Sequence, residues 1–190
     1  MAEQQLRTVL EGGGFFEGPR WHEGTWWVSD FYRRTVSRVT PDGAEAVVVE
    51  VEGQPSGLGW LPDGSLVVVS MKDHRVLRYA DGTLSTHADL TEHCGGPLND
   101  LVVTDAGQVF VGDFGFDLMG GGDARTASLK RIDPDGAVSV AAEGLQFPNG
   151  MVVPPDGGTL VVGETLGNRA PAREAVLVAT EVGVPHAGRP

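Results

Sequence analysis

The sequence predicts an all-β protein, a β-propeller, from three observations. Pro-Asp-Gly recurs at 41–43, 62–64, 134–136 and 155–157, with a related Asp81-Gly82. Proline presets φ and glycine accepts a positive φ, so each is a turn. Between the turns stand short β-branched runs such as Trp26-Trp27-Val28, Leu66–Val69, Val109-Phe110-Val111 and Leu160-Val161-Val162. Each has the length of a strand. Laid over one another, the runs form a longer unit of four strands, and a repeat of 40–50 residues built that way is the size of a propeller blade.

Each unit opens on a Gly- or Asn-rich strand: Glu17-Gly18-Pro19-Arg20-Trp21, Ser56-Gly57-Leu58-Gly59-Trp60, Asn99–Val103 and Asn149–Val153. A turn and the Val-rich run follow. The third strand is punctuated by arginine, as in Val36-Ser37-Arg38-Val39, Val76-Leu77-Arg78-Tyr79 and Leu129-Lys130-Arg131-Ile132. A last apolar stretch closes the unit, as in Val47-Val48-Val49 and Val138-Ser139-Val140. The openings are spaced by 39, 43 and 50 residues. The expected blades are 17–55, 56–98, 99–148 and the start of a fourth at 149–169, with residues 1–16 supplying a closing outer strand around Leu6–Leu10. Trp21, Trp26, Trp27 and Trp60 read as packing between blades. After Arg169 the pattern stops, and Pro171 falls inside the expected strand. Residues 170–190 are expected to be a non-repeating tail, with a short helix around Arg173–Thr180 as an alternative and a truncation or frameshift near 169–170 as its origin.

Composition narrows function. The 190 residues carry 28 Gly, 12 Pro and a formal net charge of −12. So acidic a chain repels a phosphate backbone, and nucleic acid is not an expected partner. Cys94 stands alone, which excludes an internal disulfide framework and fits a reducing compartment. The polar start Met1–Leu6 lacks the apolar stretch of a signal peptide, and no run is long enough to cross a bilayer. A cytoplasmic protein without membrane contact is the expectation.

In a propeller the first strand of each blade lines the central axis, so equivalent residues form a ring. At the opening position that ring reads Glu17, Ser56, Asn99, Asn149. A carboxylate and two amides are the oxygen ligands hard cations take, calcium above all and magnesium with several waters. As turn chemistry, the same residues before Gly or Asp need no ligand. Other motifs are weaker. The five histidines lack zinc spacing, Gly120-Gly121-Gly122 lacks the Lys-Ser/Thr of a phosphate loop, and no Gly-x-Ser-x-Gly elbow surrounds Ser56.

Taken in order, Glu17–Trp21, Gln54–Trp60, Pro97–Asp100, Phe147–Met151 and Val161–Thr165 resemble the SMP-30/gluconolactonase/luciferin-regenerating-enzyme family over about residues 6–169. The resemblance implies a six-bladed propeller, with about three and a half blades present here, and a metal-dependent hydrolase that opens a lactone with a metal-activated water. It implies a divalent metal, calcium first, with zinc, magnesium or manganese as alternatives. Glu17 and Asn149 match metal ligands, and Asn99 matches a substrate residue. The family's further ligand, an aspartate from a later blade credited as base, has no match before Arg169, so the catalytic residue is unassigned. Pro97 stands where animal members place an arginine that grips a sugar lactone. Asp117, in the Gly-rich segment 113–122, is a candidate substrate contact, against a surface loop. The expected partner is a small-molecule lactone, with self-association through exposed edge strands. The rival reading is a noncatalytic propeller that binds a small molecule or protein on its loop face.

Overall fold

The computed structural model describes residues 7–155 and 157–166, and the backbone of 176–181. The first sheet is a meander of β1 (Phe16–His22), β2 (Thr25–Asp30), β3 (Thr35–Val39) and β4 (Glu45–Glu50). The second repeats it with β5 (Pro55–Trp60), β6 (Leu66–Ser70), β7 (Arg75–Ala80) and β8 (Thr83–Asp89). The third does so with β9 (Leu98–Val103), β10 (Val109–Asp113), β11 (Ala127–Ile132) and β12 (Val138–Leu145). A fourth sheet has three strands, β13 (Pro148–Val152), β14 (Thr159–Glu164) and β15 (Val176–Glu181). All pairs are antiparallel. The first strands are successive neighbours, β1 against β5, β5 against β9 and β9 against β13, as blades around an axis require.

Turn chemistry puts one end of every blade in order. Gly43, Gly64, Gly136 and Gly157 take φ of 96°, 84°, 87° and 66°, a region that disfavours side chains. Each donates its N–H to the carbonyl three residues back. The opposite end carries the connections that lead into each opening strand.

The core lies between the faces of neighbouring sheets. Val36, Leu58 and Val68 fill the gap between the first two blades, Val69, Leu101 and Val111 the next, and Phe110, Leu129 and Leu160 the third. Trp27 and Trp60 meet at 5.3 Å across blades one and two, and His22 stacks on Trp60 at 3.8 Å. Trp21 and Trp26 do not pack between blades. They are cross-strand neighbours on an exposed face, 4.9 Å apart.

Two further expectations change. Residues 7–15 form no strand; Arg7 reaches the Pro41 carbonyl, and the chain passes so close to that turn that a Cβ on Gly43 would lie 2.7 Å from the Val9 carbonyl oxygen. Leu6 lies outside the described residues. The expected non-repeating tail over 170–190, like its helical alternative around Arg173–Thr180, gives way in its described part to β15, the third strand of blade four, which pairs with β14 from Thr159↔Glu181 to Glu164↔Val176. Its Val-Leu-Val start suits a strand next to β14 better than a free-standing helical turn. The proposed break at 169–170 falls outside the described residues. Among the described residues no helix is long and apolar enough to cross a membrane.

Candidate functional site

The same irregularity sits at the start of all four first strands. Phe16, Pro55, Leu98 and Pro148 pair with the last residues of the second strands, Asp30, Ser70, Asp113 and Glu164. The next residues along the first strands are Glu17, Ser56, Asn99 and Asn149, the ring read from the sequence. There the register slips, between Glu17 and Arg20, Pro55 and Leu58, Leu98 and Leu101, and Pro148 and Met151. Two residues then oppose one, a bulge, which bends the strand and re-aims its side chains.

Glycine lets these strands approach. Gly18 has φ of 53°, and a Cβ there would lie 2.8 Å from the Ser56 carbonyl oxygen. A Cβ on Gly57 would lie 2.4 Å from the Leu101 nitrogen and 2.7 Å from Asp100 Oδ1. Blade three departs from the pattern, because Asp100 stands where the other repeats have Gly18, Gly57 and Gly150. The space that Gly57 leaves open is where the Asp100 side chain lies.

Asp100 is the residue that sequence reasoning passed over. It is buried, and its Oδ1 accepts from Arg20 Nη2 at 2.6 Å. Arg20 also donates to the Leu101 carbonyl at 3.1 Å. Burial raises the Asp100 carboxyl above its ordinary range, against the Arg20 charge and the Leu101 N–H. Glu17, half-buried, is raised by burial and then by the Asp100 charge, against a hydrogen bond from the Gly18 backbone. The two carboxylates therefore feel one another across the ring. The signal was present in the sequence as the one acidic residue following an opening residue, but its neighbour Glu17 is 83 positions away.

Asn99 is 3% exposed and donates Nδ2–H to the Pro148 carbonyl at 3.0 Å, which ties blade three to blade four. Asn149 donates Nδ2–H to Thr165 Oγ1 at 3.0 Å, leaving its amide oxygen as an acceptor. Ser56 Oγ is buried without a partner, while the Ser56 carbonyl accepts from Ser29 Oγ at 2.6 Å. Asp117 is not in the ring. It lies exposed in the loop after β10, where its Oδ1 accepts the Gly120 N–H at 2.8 Å. It lines a cavity of about 400 Å³ shared with Phe31, Met71, Pro97 and Phe114.

Among the described residues no three His, Cys, Asp or Glu side chains gather as a metal-ligand cluster. The donors at the ring are a mixed oxygen set. Two mutually repelling carboxylates, an amide oxygen and the orphaned Ser56 hydroxyl fit a hard cation in kind.

Three four-stranded antiparallel sheets and a three-stranded one around an axis, with polar residues at the start of each innermost strand, define a partial β-propeller with a candidate site at its axis. The sequence profile of the SMP-30/gluconolactonase/LRE-like region matches residues 15–182, and the chain belongs to that family. Among solved structures it is similar to a gluconolactonase from Xanthomonas campestris, with 26% identity and a TM-score of 0.73 over 90% of this chain and 60% of that one. It is also similar to regucalcin, a calcium-binding protein from Agrobacterium tumefaciens, at 22% identity and TM-score 0.69, covering 90% of this chain and 55% of that one. A chain of a nidogen/laminin complex shares the fold at 12% identity and TM-score 0.65, covering 79% of this chain and 57% of that one. The chain thus spans 55–60% of the length of these three structures. Comparison with curated proteins found no match.

Proposed function

We propose that the opening ring is the centre of a metal-dependent lactone hydrolase. The observation that supports this most is that the Asp100 charge on β9 reaches Glu17 on β1, with both carboxyls raised by burial and with Asn99 beside Asp100 on β9. Family membership and the likeness to a gluconolactonase support the same reaction class.

A divalent cation, calcium first, supplies Lewis-acid polarisation of a lactone carbonyl when bound. Glu17 is the anionic ligand and Asn149 offers its amide oxygen; the unpartnered Ser56 hydroxyl is a further donor in reach of the ring. Asn99, whose Nδ2 is anchored to Pro148, keeps a second N–H and its oxygen for the substrate. Asp100, oriented by Arg20, adds a second carboxyl beside the ring, and a cation bound at Glu17 would favour the ionised form of both. Asp117 contacts the substrate from the loop side.

The test is hydrolysis of a lactone panel by purified protein with calcium added or chelated. Calcium-dependent turnover, reduced about 10²-fold or more by Glu17→Gln in a protein that still melts cooperatively, is the expected result. Turnover indifferent to both chelation and Glu17→Gln would overturn the assignment. The second reading, a noncatalytic propeller with a small-molecule site on the loop face, is favoured by one observation, the largely apolar cavity at Asp117. It predicts binding without turnover.

A further inference from the structure

The cavity beside Asp117 has walls that repeat as the ring does. Phe31, Met71 and Phe114 each follow directly on the last residue of a second strand, Asp30, Ser70 and Asp113. Their backbone N–H groups bond to the segments leading into the opening strands: Phe31 to the Phe15 carbonyl, Met71 to Gln54 and Phe114 to Pro97, at 2.9, 2.9 and 3.0 Å. The Leu98 N–H in turn bonds to the Met71 carbonyl at 3.1 Å. The three side chains are buried, at 7%, 4% and 5% exposure. An apolar wall therefore stands at the same end of the blades as the polar ring. Pro97 belongs to the cavity and lies two residues before Asn99, about 7 Å along an extended strand.

The polar groups of the cavity do not make it a sugar site. Asp117 spends an oxygen on the Gly120 N–H. Lys72 and His74 come from the turn after β6. A polyhydroxylated ring lodged here would set hydroxyls against Phe31, Met71 and Phe114, which offer no partner, and each unpaired hydroxyl weakens binding. The outer rim is apolar as well. Leu118 and Met119 stand 45% and 64% exposed in the loop that carries Asp117, and methionine adapts to irregular aliphatic shapes.

We infer that this cavity takes an aliphatic chain carried on the lactone ring, so that the substrate class is an alkyl-substituted lactone rather than a sugar lactone. The lactone carbonyl lies toward Asn99, and the chain runs past Pro97 between Phe31, Met71 and Phe114 to the Met119 rim. This rests on the lactonase reading for the position of the reacting ring, and on the cavity alone for the chain.

The experiment uses the full chain with calcium and a homologous series, γ-butyrolactone, γ-hexalactone, γ-octalactone and γ-decalactone, against glucono-δ-lactone. Turnover and equilibrium binding by calorimetry are both measured. Each added methylene is expected to raise kcat/KM, and affinity, about fourfold until the cavity is filled. Met119→Asp, at an exposed position that folding tolerates, is expected to lower the decalactone-to-butyrolactone ratio about tenfold, and Met119→Leu to restore it. A flat series, or preference for gluconolactone with calcium-dependent turnover intact, overturns the inference and leaves the lactonase reading standing. Absence of turnover on every lactone overturns the lactonase reading. The binding series then decides the inference alone, with equal affinity across chain lengths counting against it.

Discussion

Asp30 and Asp113 occupy the same position in blades one and three, at the end of the second strand, and each is buried. They are neutralised in different ways. Asp30 accepts backbone N–H groups from Gly14 at 2.7 Å, Phe15 at 3.2 Å and Arg33 at 3.0 Å, and the Arg33 side chain remains 35% exposed. Asp113 accepts the Gly115 N–H and faces the Lys130 ammonium, which is wholly buried and also donates to the Ser128 carbonyl at 2.9 Å. One carboxylate is held by peptide dipoles near water, the other by a dry ion pair. Asp30 fixes the connection that leads into its opening strand, and Glu164, at the same position in blade four, does likewise by accepting the Gln146 N–H at 2.6 Å, three residues before Asn149. Asp113 instead fixes the loop after its own strand, and Ser70 in blade two holds a buried hydroxyl without a partner, so one position of the repeat serves different local needs.

The largest expected effect is at the dry pair. Lys130→Met leaves Asp113 charged and buried and should destabilise the fold by roughly 3–5 kcal/mol, read as a shift in denaturant midpoint. Adding Asp113→Asn should recover much of that loss, because the amide still accepts the Gly115 N–H without carrying charge. An unchanged midpoint in Lys130→Met would show that water reaches Asp113 and would erase the distinction between the two blades.

Asp30→Ala should cost less, about 1–3 kcal/mol, since three N–H groups lose an acceptor but lie nearer to solvent. Its acid dependence has a defined sign. Burial alone would raise the Asp30 carboxyl, but the N–H groups of Arg33, Gly14 and Phe15 and the Arg33 charge hold it below the ordinary 3.8. The stabilisation is therefore complete above pH about 3.8 and is lost as pH falls through the lowered folded value. A wild-type melting series across acid pH should converge with that of Asp30→Ala; parallel curves would refute this.

The ring carboxylate runs the other way. Glu17 is raised, so ionising it works against the fold, and that penalty grows as pH rises above the ordinary 4.5. Without calcium, Glu17→Gln should raise stability at neutral pH by about 0.5 kcal/mol, an effect that fades in acid. With calcium the order should reverse, because the ligand stabilises the wild type alone. The smallest effect belongs to the surface. Arg34 and Glu52 meet at 3.2 Å with side chains 55% and 94% exposed, and Arg34→Ala should leave the melting temperature within experimental scatter.

Much of this architecture was legible before any coordinates. Pro-Asp-Gly turns, strand-length Val runs and the alignment of Glu17, Ser56, Asn99 and Asn149 are local patterns, and the structure keeps all of them. What stayed hidden depends on distant contacts. Asp100 carries no local sign of a role, because its partners Glu17 and Arg20 come from another blade. Lys130 read as one more polar punctuation of a third strand, and its burial against Asp113 has no local signature. The tryptophans divided by face, with Trp27 and Trp60 between blades and Trp21 and Trp26 outside, because strand alternation could not say which side a neighbouring sheet would cover.

The sequence by itself determined the strands, their turns and the repeat, since backbone conformation follows from φ preferences and side-chain branching within a few residues. It also determined which residues stand second in each opening strand, Glu17, Ser56, Asn99 and Asn149, because equal positions in equal units superpose. Only the tertiary structure decided which charges meet and which are dry. Those depend on how closely neighbouring sheets approach, and that approach is set by glycines such as Gly18 and Gly57 acting on strands from the next blade.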